Sequence, residues 1–158
     1  YWSLYAANYT VLSPKPFTFK IGKVSQPLLD FHQSHNCESS AFVTAYNPLG
    51  VLTSEVSNIV AQNEFEVHLI NKKIIFIQGV GRDKVGSWSS EQSVLILGVK
   101  IKEAKMIGVD CRQNAIVWID TEVKHNSFYY VDADDETTLY FLAIKFKKIF
   151  RGCTVAFK

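Results

Sequence analysis

The longest unbroken apolar run in the chain is six residues, Leu139 to Ile144. A run of that length suits one β-strand and falls far short of the roughly 18 to 20 apolar residues that cross a bilayer. The chain must therefore assemble its core from short segments, and a membrane span is not expected. Within Thr138 to Phe146, alternation puts Leu139, Phe141 and Ala143 on one face and Tyr140, Leu142, Ile144 and Phe146 on the other. Both faces are apolar, so this segment reads as a central strand covered on both sides, which calls for layers of helix against a sheet.

Other segments supply those layers. Phe17 to Ile21 alternates as a half-buried strand ended by Gly22. Ser25 followed by Gln26 and Pro27 predicts a helix start, with the helix running to about His35. Ala41 to Tyr46 is the next expected strand. Thr53 or Ser54 caps the longest expected helix, in which Val56, Ile59, Val60, Asn63, Val67 and Ile70 recur at three- and four-residue steps as an apolar stripe. Lys73 to Gln78 and Ser93 to Val99 read as two strands of a long hairpin around a loop rich in glycine and serine. Lys102 to Cys111 follows as a short helix burying Ala104, Met106 or Ile107, despite Gly108. Strands are then expected at Asn114 to Asp120, Ser127 to Asp132, Thr138 to Phe146 and Thr154 to Phe157. The fold class that results is α/β, a single domain spanning 1–158 with a mixed β-sheet and helices packed on it, and with 121–158 as a β-rich extension of that domain.

One domain also fits 158 residues that are 47% hydrophobic. Seventeen basic and 15 acidic side chains leave a net charge of +2, too little for a general attraction to nucleic acid or membrane surfaces. Cys37, Cys111 and Cys153 are odd in number and form no CxxC pair, and a reducing cytoplasm is the simplest expectation. Because the sequence starts at Tyr1 rather than a methionine, whether a leader preceded it stays open.

Six features then occur in a fixed order: Ile21-Gly22, the run Thr44-Ala45-Tyr46-Asn47-Pro48, Asn58, the glycines Gly79 and Gly81, Trp88-Ser89-Ser90-Glu91-Gln92-Ser93, and Gln113-Asn114-Ala115. In this combination residues 17–119 resemble the bacterial domain-of-unknown-function family 3293. The resemblance implies a family and no activity.

Two readings of the Tyr46-Asn47-Pro48 turn stay open. In one, Pro48 biases Asn47 toward extended backbone and the stretch is a stiff strand-to-helix connection. In the other, the strand end presents Thr44, Tyr46 and Asn47 beside a helix start, where free N–H groups favour an anion or carbonyl ligand. Trp88 and Glu91 likewise make either a ligand platform, with Glu91 as acid or base, or a plug tied to backbone or to an Asn such as Asn58. Asn58, Ser93 and Gln113 fit either account.

Other signals point away from chemistry. Gly79 to Gly86 lacks the Gly-Lys-Ser/Thr of a phosphate loop and leads to a strand. His32, His35 and Cys37 are the only metal-like cluster and lack further ligands, so neither metal nor cofactor is indicated. Asp132 to Glu136 reads as a hairpin tip. The bases from Lys145 to Lys158, with Phe146 and Phe150, carry no ribonucleoprotein signature. No GxSxG, HExxH or CxxC motif is present.

The expected function is thus a binding or protein-interaction module, a class that includes immunity- or antitoxin-like proteins, with another protein as partner. A small enzyme acting on a polar metabolite or nucleotide, with Glu91 as acid or base, is the alternative. RNA binding through the basic C-terminal region is the third.

Overall fold

A computed structural model describes residues 7–82, 89–121 and 125–130. Among them lie β1 (Asn8–Val11), β2 (Phe17–Phe19), α1 (Gln26–Ser34), β3 (Ser39–Val43), a 3-10 turn (Pro48–Gly50), α2 (Glu55–Asn71), β4 (Phe76–Arg82), β5 (Glu91–Leu97), α3 (Ile101–Asp110), β6 (Ala115–Asp120) and β7 (His125–Tyr130). The strands form one sheet in the order β2-β1-β4-β5-β3-β6-β7. The α/β architecture, a sheet with helices on it, is as expected. The sheet is not mixed over these residues, because every described pairing is antiparallel. Each helix joins two strands that run the same way, α1 from β2 to β3, α2 from β3 to β4 and α3 from β5 to β6, but at least one antiparallel strand lies between each such pair, so no two parallel strands become neighbours.

Alternation along the central strands separates two cores. Ala41 and Val43 of β3, Val94 and Ile96 of β5, and Ile116 of β6 face α2 and α3, where Phe65, Leu69 and Ala104 meet them. Phe42, Leu95, Val117 and Ile119 point the other way, to Tyr9, Val11, Phe19 and Leu28 of α1. Tyr9, Phe19 and Phe42 form an aromatic trio with ring centroids 5.3 to 5.6 Å apart. On that side, fully buried His32 of α1 is hydrogen-bonded through Nε2 to Ser40 Oγ at 2.8 Å, and its Nδ1 has no partner.

Several elements begin or end away from their expected places. β1 was not foreseen, although Asn8 to Val11 alternates half-buried and buried positions. β3 ends at Val43 rather than Tyr46. Thr44 leaves the ladder, donating its hydroxyl to the Gln92 carbonyl at 2.6 Å and accepting from the Tyr46 N–H at 3.1 Å. β4 starts at Phe76 rather than Lys73, because Lys73 takes a left-handed conformation (φ 57°) and Ile74 N–H closes back on the Leu69 carbonyl. The expected glycine loop therefore contributes Gly79 to Arg82 to the strand. Glycine at 79 has a steric cause: a Cβ there would lie 2.6 Å from the Phe42 ring and 2.9 Å from the Thr10 carbonyl oxygen.

The largest correction concerns α2. Its expected apolar stripe faces outward: Val56 is 72% exposed, Ile59 36%, Val60 50%, Val67 55% and Ile70 62%. The buried face carries Asn58, Gln62, Phe65 and Leu69. In α3, Ala104 and Gly108 are buried while Met106 is 61% exposed, so of the three candidates Met106 is not a core residue. The expected strands 138–146 and 154–157, the acidic run 132–136 and the basic region 145–158 lie outside the described residues.

Candidate functional site

The site begins with backbone geometry. Asn47 sits at φ 49°, ψ 60°, in the left-handed region rather than the extended one expected before a proline. Asparagine tolerates this conformation better than other side-chain-bearing residues. Here the surroundings enforce it. The Asn47 N–H donates to Asn58 Oδ1 at 2.8 Å, and Asn58 Nδ2 donates back to Asn47 Oδ1 at 3.1 Å. Asn47 Oδ1 also accepts from the Thr53 N–H at 3.1 Å, and Asn47 Nδ2 donates to Glu91 Oε1 at 2.8 Å. Thr53 Oγ1 completes the ring by donating to Asn58 Oδ1 at 2.6 Å.

Three elements hold this turn. Ser54 caps α2, its hydroxyl accepting from the Ser57 N–H at 3.1 Å, and thereby aims Asn58 and Gln62 at the end of β3. Gln62, fully buried, accepts the Ala45 N–H at 3.0 Å and passes the network on by donating to Glu66 Oε1 at 3.1 Å. Gln78 of β4 donates to the other Glu66 oxygen at 3.1 Å. From the α3–β6 connection, Gln113 Nε2 donates to the Tyr46 carbonyl at 2.8 Å, and the Arg112 carbonyl accepts from the Leu49 N–H at 2.7 Å. From β5, buried Ser93 donates to the Glu91 carbonyl at 3.1 Å.

Six of the expected residues, Thr44, Tyr46, Asn47, Asn58, Glu91 and Gln113, are thus brought into one cluster, with Ser93 at its edge. Thr44, Asn58 and Gln113 bond backbone groups that left the β-ladder when the strand ended. Trp88 lies outside the described residues. The residues that sequence reasoning missed are Gln62, Glu66, Thr53 and Gln78. A signal was present for two of them: Asn58, Gln62 and Glu66 recur at four-residue steps and so share one face of α2, opposite the apolar stripe.

Two side chains have shifted acidities. Burial pushes the Glu91 carboxyl above its ordinary value, and the Asn47 hydrogen bond opposes part of that. Burial, then the Glu55 carboxylate, push the Tyr46 phenol up; its hydroxyl donates to Glu55 Oε1 over a long 3.4 Å. Chemically, a partly buried carboxyl with one oxygen held by an amide is equipped to accept a hydrogen bond or a proton on the other.

Two hollows occur elsewhere. A groove of about 470 Å³ between α2 and α3 has Leu69, Ile96 and Val99 within it and His68, Lys72, Lys73, Glu103 and Asp110 among its lining. A polar hollow of about 440 Å³ is lined by His32, Cys37, Glu38, Ser39 and Lys100 among others. Among the described residues no group of three His, Cys, Asp or Glu side chains is placed to hold a metal ion. No described helix is long and apolar enough to cross a membrane.

Residues 43–116 match the family model described as "Protein of unknown function (DUF3293)". The resemblance read from the motifs between residues 17 and 119 is borne out over that span, which begins at the last residue of β3 and includes the whole hydrogen-bonded cluster. No curated protein and no solved structure matches the chain.

Proposed function

We propose that the chain works as a protein-interaction module, with the outer face of α2 as its contact surface and the Asn47–Asn58–Glu91 cluster as the brace that holds α2 against the sheet. The observation that carries this reading is the exposure of Val56, Ile59, Val60, Val67 and Ile70 on one helix face. A contiguous apolar strip of that kind is costly to leave in water and is a common docking surface in helix recognition. The cluster supports the reading from the other side. Thr44, Asn58 and Gln113 direct their polar atoms at the protein's own backbone, as residues of a rigid support do.

The test is a photo-reactive amino acid placed at Val60 in the full chain and activated in the native cell. A discrete adduct is expected, and it should vanish when Val67→Glu and Ile70→Glu are added. No adduct at this position overturns the reading.

The raised pKa of Glu91 favours one other reading, a small enzyme acting on a polar metabolite or nucleotide with Glu91 as acid or base. A thermal-shift screen separates the two. A ligand that stabilises the parent protein and not the Glu91→Gln variant supports the enzyme, whereas a brace predicts no such ligand.

A further inference from the structure

The pattern on the outer face of α2 carries more than its exposure. Val56, Val60, Asn63, Val67 and Ile70 follow one another at steps of four, three, four and three residues. Their mean spacing of 3.5 over two heptads fits a coiled-coil seam. Asn63, also exposed, stands at the middle, seven residues after Val56 and seven before Ile70. A twofold axis through Asn63 therefore maps the two ends of the seam onto each other.

We infer that the partner on this face is a second copy of the chain, docked through an antiparallel α2–α2 contact centred on Asn63; this rests on the reading of α2 as the contact surface. Val56 of one copy then lies opposite Ile70 of the other, with Val60 and Val67 between. The two Asn63 amides meet on the axis, where each has a donor and an acceptor to offer the other. A single polar layer in an apolar seam fixes register and orientation at some cost in stability. The same patch used by both copies makes the contact isologous, which closes at two subunits.

Charge is arranged to match. Glu55 opens α2, and Lys72 and Lys73 stand at and just past its end. A parallel copy sets like charges side by side. An antiparallel one brings the Lys72 and Lys73 end of each helix to the Glu55 end of the other and opposes the two helix dipoles favourably.

The test is light scattering coupled to size exclusion on the full chain, from low micromolar to the highest soluble concentration. The parent protein should move from monomer to dimer mass, and Val60→Glu combined with Val67→Glu should hold it at monomer mass with an unchanged circular-dichroism spectrum. Asn63→Cys should be joined to a dimer by a short bis-maleimide, while Val56→Cys, which faces Ile70 across the axis, should not exceed the parent's background. A parent that is monomeric throughout overturns the second-copy assignment; a photo-adduct from Val60 to a different protein would then leave the interaction reading standing. A dimer that survives the double substitution also overturns it, by locating the contact elsewhere. A monomeric parent whose melting temperature collapses in the double variant means that this face is covered within the chain and overturns both.

Discussion

Asn47 combines an uncommon backbone conformation with four hydrogen bonds through its N–H and side chain, and the two depend on each other. Replacing it by alanine removes the side-chain bonds to Thr53, Asn58 and Glu91 and leaves a less tolerant residue at positive φ. Asn47→Ala is expected to cost about 2 to 4 kcal/mol, read from denaturant melts. Glu91→Gln should behave differently, since a glutamine oxygen still accepts from Asn47 Nδ2. The folded-state pKa of Glu91 is raised, so its ionised form is disfavoured in the folded protein, and this cost is present at neutral pH. Glu91→Gln should therefore melt at or above the parent at pH 7, and its advantage should shrink as the pH falls through the folded value toward 4.5. His32 works in the opposite direction. Burial, and secondarily His35, depress its pKa from 6.5 to about 4, against a weaker pull from Asp120. The folded state binds fewer protons than the unfolded one between those values, so stability is full above pH 6.5 and declines toward pH 4. The loss is on the order of 3 kcal/mol. Comparing urea melts of the parent and His32→Gln across this range should show the parent's slope reduced in the variant.

At the scale of elements, what was legible in the sequence was type and order, and what was not was the face or the end. The cap at Ser54 and the proline after Gln26 marked two helix starts because those signals are local. The end of β3 was misplaced because it depends on Thr44 bonding a carbonyl 48 positions away. The orientation of α2 was inverted for a related reason. A periodic apolar stripe normally faces the core, but here the ending strand leaves the N–H groups of Ala45 and Asn47 without a ladder, and Gln62 and Asn58 satisfy them. Phe65 and Leu69 lie on that same face and supply the apolar contact. The glycines of β4 read as a loop because their partner, the Phe42 ring, belongs to a strand two places along the sheet. Gly79→Ala should consequently destabilise by about 1 to 3 kcal/mol through overpacking. Phe42→Leu should recover part of that loss, so the double variant is less destabilised than the sum of the singles, as a thermodynamic cycle will show.

Over the described residues the whole molecule is a sheet with two cores of different construction. The α1 side is closed by aromatic rings and aliphatic chains from strands on both halves of the sheet. The α2–α3 side is apolar beneath the C-terminal half of α2 and polar beneath its N-terminal half, where Asn58 and Gln62 take the place of core hydrocarbon. The sequence showed the α/β class because short alternating strands and helical periods are properties of single segments. It could not show that the described sheet is antiparallel throughout, which depends on which segments become neighbours. Nor did it show that the shared motifs act together, since the β3 end, α2, β5 and the α3–β6 connection meet only in three dimensions. This uneven attachment of α2 has a dynamic consequence. Hydrogen bonds contribute modestly when formed and cost more when one partner is removed, so Asn58→Ala with Gln62→Ala should release the first half of the helix well before the sheet unfolds. Native-state hydrogen exchange should then show faster exchange for amides 58–62 and little change in β3 and β5. Equal loss of protection in the strands would mean that α2 and the sheet open as one unit, and the cluster would be part of the global core rather than a brace.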